Sequence, residues 1–228
     1  DNGVCMHIYF SGVGGAGISA LALFAKQVGY EISGSDKQMS CNFSYLQDQG
    51  VDSIHIGQTK EAIQNIHRSH PIDWFVYSSA LIMENPNHPE LFYCKAKNIK
   101  VSKRDEFLIK LLKDNNLQMI AIAGTHGKTT TTAMTIWLMQ ELGVPISYML
   151  AAKTSFSCIA QYNPKSTYFI YEADEFDRNF LAYHPLQVLI TGIDWDHPDI
   201  YPSLHSYNKA FHQFIKQSMR TVIWDNDA

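Results

Sequence analysis

Cysteine is scarce and scattered. Cys5, Cys41, Cys94 and Cys158 stand far apart, and no pair shows the C-x-x-C spacing of zinc or redox sites. A disulfide or zinc framework is therefore disfavoured, and a reducing compartment, the cytoplasm, is the expectation. Charge is sparse too. Only 18% of the 228 residues are charged, the formal net is −4, and no basic run offsets it. That balance argues against a general nucleic-acid binder. The tightest basic pair, Lys103-Arg104, reads as a solvated helix start. No apolar stretch approaches the roughly 20 residues that span a bilayer, so no membrane insertion is expected. The opening DNGVCMHIYF has no charged n-region and no cleavage site, so no secretion signal is read. The missing initiator Met points to a trimmed or partial chain.

What the chain does have is a 46% hydrophobic content, ordinary for a globular protein, and length enough for one large or two ordinary domains. Strand-like and helix-like stretches alternate along it. VCMHIYF is a short apolar run, followed by a glycine-rich turn and a helix on which Ile18, Leu21, Ala22 and Ala25 share a face. Gly29 suits the C-terminus of that helix. YEIS follows and ends at Ser35-Asp36, then come DSIHI and WFVYSSA. NHPELFYCKAKNI and KRDEFLIKLLKDNN read as helices around the strand KVS. The polar KDNNLQ marks a domain boundary near Asn116. Beyond it stand a strand ending at Ala123, a helix from Thr129, a strand at ISYML and a loop from Lys153 to Lys165. The strands TYFIYEAD and LQVLITGID, a helix from Ser203 to Ser218 and the strand RTVIWDN complete the series. The alternation predicts α/β architecture with parallel sheets.

Four stretches carry chemistry. In IAIAGTHGKTTTTAM a buried strand runs into a glycine turn and then a helix. The strict G-x-x-x-x-G-K-[ST] pattern needs glycine at 122, where this chain has Ile122. The shorter Gly124-Thr125-His126-Gly127-Lys128-Thr129 still has the physical parts. Its glycines let amides face a phosphate, its lysine supplies a point charge, and its threonine offers a hydroxyl to a divalent cation. In YEADEFDRNF, Glu172, Asp174, Glu175 and Asp177 crowd a strand end. A solvated acidic loop would explain them alone, but a place beside the lysine turn favours a cation. In ITGIDWDHPDIY a third strand ends in Asp194, Asp196, His197 and Asp199. His197 stays open there between a packed residue and a ligand. The fourth stretch holds Gly12, Gly14 and Gly17 in G-x-G-x-x-G, with Asp36 about twenty residues on. Its physics is a diphosphate on a helix N-terminus and a carboxylate on a ribose, which suits NAD or a UDP-sugar alike.

Taken in order, GVGGAGISALA…GSD, SSAL…NP, AGTHGKTTTTAM, EADEFDRNFL and DHPDIY resemble the Mur ligases over essentially the whole chain. The resemblance implies a Rossmann-like parallel-sheet N-terminal domain at 1–116. An incomplete P-loop-type α/β ATP-binding domain at 117–228 would follow it, and the family's third domain would be absent. It implies ATP and Mg²⁺ as cofactors, and UDP-N-acetylmuramate and L-alanine as substrates joined through an acyl phosphate. Gly-Val-Gly-Gly-Ala-Gly and Ser78-Ser79-Ala80 look more like the alanine-adding branch than the branch that recycles murein tripeptide. By the same resemblance Gly124, Thr125, His126, Gly127, Lys128, Thr129 and Thr130 would hold ATP phosphates. Thr129 and Glu172 would ligate one Mg²⁺, and Glu172 with His197 a second. Gly12, Gly14, Gly15, Gly17, Asp36, Ser78 and Ser79 would line the UDP site, and His126 would face the muramoyl carboxylate. The sequence departs from the family in lacking a Gly-Gly pair in MLAAKTSFS and in placing Pro198 after His197. An NAD(P)-dependent oxidoreductase and a non-catalytic nucleotide-binding module are the alternatives from other classes. The chain as it stands is expected to bind ligands without turning over.

Overall fold

Short runs rich in Ile, Val, Tyr and Phe favour strands, and the longer amphipathic stretches between them favour crossover helices. The computed structural model describes residues 5–150 and 158–224. It divides into two units between Leu108 and Ile109, each with its own sheet. The expected Gly-Gly position around 151–157 lies outside the described residues.

The first unit contains β1 (His7–Ser11), α1 (Ala16–Val28), β2 (Glu31–Asp36), α2 (Cys41–Asp48), β3 (Ile54–Ile56) and α3 (Lys60–Ser69). It continues with β4 (Trp74–Tyr77), α4 (Ser79–Glu84), α5 (Pro89–Ala96) and β5 (Lys100–Lys103), and α6 (Arg104–Asp114) crosses the division. The strands are parallel in the order β3-β2-β1-β4-β5. The direction of winding reverses between β1 and β4, and in such sheets ligands bind at the carboxyl ends beside that reversal. β1 is buried along its whole length, and α1 buries Ile18 to Ala25 against the sheet. One boundary differs from the sequence reading. WFVYSSA stops being a strand at Tyr77, because Ser78, still extended, is the N-cap whose carbonyl accepts from the Leu81 N–H (3.1 Å), and Ser79 and Ala80 fall in α4.

The second unit contains β6 (Gln118–Ala123), α7 (Lys128–Glu141), β7 (Ile146–Met149), β8 (Ala160–Gln161) and β9 (Tyr168–Glu172). A 3-10 segment (Phe176–Ala182), β10 (Gln187–Ile190), α8 (Leu204–Gln217) and β11 (Arg220–Val222) follow. The order is β11-β10-β6-β9-β7-β8, parallel except for the β7–β8 pair. β8 lies in a stretch read from sequence as loop. Two residues carry no readable period, and only pairing with Tyr148 and Met149 makes them a strand. LQVLITGID ends as strand at Ile190, where the Thr191 hydroxyl turns to the His126 carbonyl (2.6 Å) and Gly192 takes a φ of 150°. Because β10, β6 and β9 are parallel neighbours, the segments that follow them emerge at one edge of the sheet.

Candidate functional site

In the second unit the β6–α7 turn is held open by two glycines in the left-handed region, Gly124 (φ 133°) and Gly127 (φ 77°). A Cβ on Gly124 would run into Thr191 and lie 2.8 Å from the Gly192 carbonyl. Gly127 caps α7 without any side-chain hydrogen bond, so the first-turn amides keep the anion-binding capacity of an open helix N-terminus. Thr125 is engaged inside the unit. Its N–H donates to Gly192 O (2.9 Å), and its hydroxyl donates to Asp194 O (2.7 Å) and lies 2.8 Å from the Tyr207 hydroxyl. Thr125 therefore ties the turn to the segment after β10. His126, Gly127 and Thr130 are exposed on the outer side of the turn.

Lys128 folds back over the turn. Its Nζ donates to Gly124 O (2.7 Å) and to Glu175 Oε1 (3.1 Å), and stands 2.9 Å from Glu175 Oε2. Glu175 is fully buried, and Oε2 receives no well-aligned hydrogen bond. Its carbonyl accepts from Tyr201 (2.7 Å), while Oε1 lies 3.5 Å from the Tyr207 hydroxyl and 3.6 Å from His197 Nε2. A buried carboxylate needs a partner of opposite charge, and Lys128 supplies it. One helical residue further on, the Thr129 hydroxyl stands 3.0 Å from both oxygens of Glu172. Burial raises the Glu172 carboxyl above the usual range, opposed by the Thr129 hydrogen bond and the Lys128 charge, with Asp174 and Glu175 adding to the rise.

Of the expected metal ligands, Thr129 and Glu172 are brought together, whereas the His197 ring faces Glu175. His197 takes a φ of 54° ahead of Pro198, and its ring meets Phe176 edge-on at 5.6 Å. Proline disfavours the right-handed helical region for the residue before it, and histidine tolerates the left-handed one. Among the described residues no group of three His, Cys, Asp or Glu is gathered to hold a metal. A hydroxyl and one carboxylate nonetheless suit a hard divalent cation that takes its other oxygens from phosphate and water. Glu175, Tyr201 and Tyr207 were missed by sequence reasoning as site residues. Glu175 stood in plain view in the acidic motif, but its burial was not legible.

In the first unit Gly12 (φ 83°) turns the chain out of β1, and the N–H groups of Gly12 and Val13 both donate to Ser35 O, at 2.8 and 3.0 Å. Gly15 starts α1 with no side-chain cap and no acidic residue in the first turn. Asp36 reaches the loop itself, its Oδ2 accepting from the Gly14 N–H (2.6 Å) and its Oδ1 from the Lys37 N–H (2.7 Å). Ser40 and Asn42 hold the Gly14 carbonyl at 3.4 and 3.0 Å. The Arg104 side chain packs where a Cβ on Gly17 would stand. Ser78 and Ser79 lie at the start of α4, after β4.

Residues 7–116 match the family description "Mur ligase family, catalytic domain" and residues 122–228 match "Mur ligase middle domain". A curated relative from Syntrophomonas wolfei, named UDP-N-acetylmuramate–L-alanine ligase, is 35% identical over 92% of this chain and 43% of its own length. One of the same name from Clostridium botulinum is 37% identical over 92% and 43%. The chain thus spans less than half the length of these relatives. Among solved structures, the UDP-N-acetylmuramate-alanine ligase of Thermotoga maritima superposes with a TM-score of 0.82 at 26% identity, covering 96% of this chain and 49% of that one. A UDP-N-acetylmuramate:L-alanyl-gamma-D-glutamyl-meso-diaminopimelate ligase from Neisseria meningitides shares the fold at a TM-score of 0.79 and 23% identity, covering 94% and 69%.

Proposed function

The chain belongs to the Mur ligase family, and from that premise we propose that it carries the UDP-sugar and ATP sites of a ligase joining L-alanine to UDP-N-acetylmuramate. One observation carries this reading beyond the family. Lys128 and Thr129, at the start of α7, are each paired with a carboxylate delivered from the end of β9, Glu175 and Glu172. Lysine on phosphate and a hydroxyl–carboxylate pair for a cation are what phosphoryl transfer requires. Residues 1–116 are assigned to the UDP moiety and 117–228 to the ATP phosphates.

In this reading the muramoyl carboxylate attacks the γ-phosphorus of ATP, and ADP leaves with the electron pair of the broken P–O bond. The amine of L-alanine then attacks the acyl carbon, loses a proton and expels phosphate. The α7 amides and Lys128 hold the transferring phosphoryl group and neutralise charge that grows during transfer. Lys128 exchanges its bonds to the Gly124 carbonyl for phosphate oxygens, while Glu175 keeps it aimed at the turn. Thr129 and Glu172 would hold Mg²⁺, which supplies charge neutralisation at the phosphates when bound. His197 stays oriented by Glu175 and Phe176 at the rim of the same site, and exposed His126 is assigned to the incoming carboxylate. A cytoplasmic location fits these substrates, and among the described residues no helix is long and apolar enough to cross a membrane.

The test is ADP release by the protein in its longest natural form. Release that requires both UDP-N-acetylmuramate and L-alanine is the expected result. Release that requires the murein tripeptide in place of L-alanine would move the protein to the recycling branch, and nucleotide binding without release would make it a binding module. Quenching of nicotinamide fluorescence by the protein would instead support an oxidoreductase.

A further inference from the structure

Beneath the glycine loop of the first unit lies a carboxylate that belongs to none of the motifs. Glu90, in the first turn of α5, is fully buried. Its Oε1 accepts from the hydroxyls of Tyr9 (2.6 Å) and Ser35 (2.7 Å), and its Oε2 from Ser11 (2.6 Å). Ser11 and Ser35 are partners across β1 and β2. They are also the last residues before Gly12 and Asp36, and the Ser35 carbonyl holds the Gly12 and Val13 amides. From the far side, Gln58 Nε2 donates to Ser11 Oγ (3.0 Å), and Gln58 Oε1 faces His88 Nε2 at 3.3 Å.

A carboxylate removed from water is tolerated only where donors fill its lone pairs. Here three hydroxyls from two strands converge on it, at the point where the strand ladder ends and the loop begins. We propose that Glu90 is a positioning residue for the glycine loop, fixing Ser11 and Ser35 and, through the Ser35 carbonyl that holds the Gly12 and Val13 amides, the place of the loop that would receive the diphosphate of a UDP-type ligand. The ligand part of this statement rests on the reading of the first unit as the UDP site.

The direction of the hydrogen bonds makes the idea testable. Ser11 donates to Glu90 and accepts from Gln58. In Glu90→Gln, an amide nitrogen turned to Ser11 would leave that hydroxyl with two N–H donors and no acceptor for its own hydrogen. An amide nitrogen turned the other way would confront the Tyr9 and Ser35 hydroxyls instead. Adding Gln58→Glu reverses the chain, since the new carboxylate accepts from Ser11 while residue 90 donates to it. A merely structural role would not respond to such a reversal.

Two measurements decide. Amide exchange of the ligand-free chain is followed by NMR at Gly12 and Val13, with the β1 amides as internal control. Calorimetric titration with UDP follows in wild type, Glu90→Gln and Glu90→Gln/Gln58→Glu. The expected result is exchange about tenfold faster at Gly12 and Val13 in the single variant, UDP affinity about tenfold weaker, and recovery of most of both in the double variant. Wild-type exchange at the loop in Glu90→Gln would overturn the proposal, as would acceleration spread evenly over β1. A double variant no better than the single one would overturn it too. Should Glu90→Gln fail to fold, Ser35→Ala removes one donor and faces the same exchange criterion. If wild type itself ignores UDP, the nucleotide reading falls while the exchange data still decide the role of Glu90.

Discussion

Lys128 and Glu175 form an ion pair for which the proposed function implies a part in chemistry as well as in stability. Both side chains are largely buried, 14% and 1% exposed. Removing one partner leaves a buried charge alone, at a cost of about 3 kcal/mol or more. Lys128→Ala is therefore expected to lower the melting temperature and also to slow acyl-phosphate formation by about 10²-fold or more. The two effects separate in Lys128→Met/Glu175→Gln, which removes both charges. Thermal melts should recover toward wild type, while ADP release should stay slow. A double variant that regains its rate would show that Lys128 acts only through stability.

Glu90 makes a second residue-scale prediction, on pH. Burial raises its carboxyl above the ordinary range, opposed by hydrogen bonds from Ser11, Tyr9 and Ser35 and reinforced by the charge of Asp36. The titratable groups that interact with it are Tyr9, Asp36 and Cys94. The folded protein thus holds this proton more tightly than the unfolded chain does. The corresponding stabilisation is complete below the ordinary glutamate pKa and is lost as pH rises through the raised value. Urea midpoints taken from about pH 4 to about pH 8 should show this component of decline in wild type. In Glu90→Gln it should be missing, and an unchanged profile in that variant would contradict the assignment.

Among the elements, the helix starts fall into two kinds. α2, α3 and α8 are capped by the side chains of Ser40, Thr59 and Ser203, the last in a reciprocal capping box with Ser206. α1, α4, α5 and α7 have no side-chain cap, and of these only α1 and α7 start at a glycine, Gly15 and Gly127. A capped start spends its amides within the protein, and an uncapped one leaves them for an anion. Ser203→Ala should cost about 1 kcal/mol in denaturant unfolding and leave nucleotide affinity alone. Gly14→Val should act on ligand binding instead. Its Cβ would lie 2.7 Å from both Asp36 Oδ2 and Ser40 Oγ, forcing the loop away from the position that Asp36 holds. UDP binding should be lost in that variant while Mg²⁺-ADP binding stays at the wild-type level, and retained UDP affinity would remove the loop from the site. The two glycine starts were legible as strand–glycine–helix signals in sequence. α4 and β8 were not: α4 has only six residues, too few to show a helical period, and β8 is two residues that become a strand only by pairing with β7.

For the molecule as a whole, the proposal that each of the two sheets holds its own ligand predicts separate ligand responses. In an NMR titration UDP should shift amides between residues 7 and 108, and Mg²⁺-ADP those between 109 and 224, with either ligand free to act first. Shifts from UDP centred on the β6–α7 turn would reverse the assignment. The α/β class, both glycine turns and the acidic and histidine segments at strand ends were determined by the sequence itself. Those features are local, since hydrophobic period, glycine spacing and a charge cluster are each written within a dozen or so residues. Tertiary structure alone decided which of the polar residues meet. Parallel pairing of β10, β6 and β9 puts Lys128, Glu175 and His197 together across three separate segments. Pairing of β1 with β2 aligns Ser11 and Ser35 so that Glu90, some eighty residues from Ser11, can hold both. Whether a carboxylate is solvated or buried depends on what the rest of the chain packs against it, and no local pattern around Glu90 or Glu175 records that.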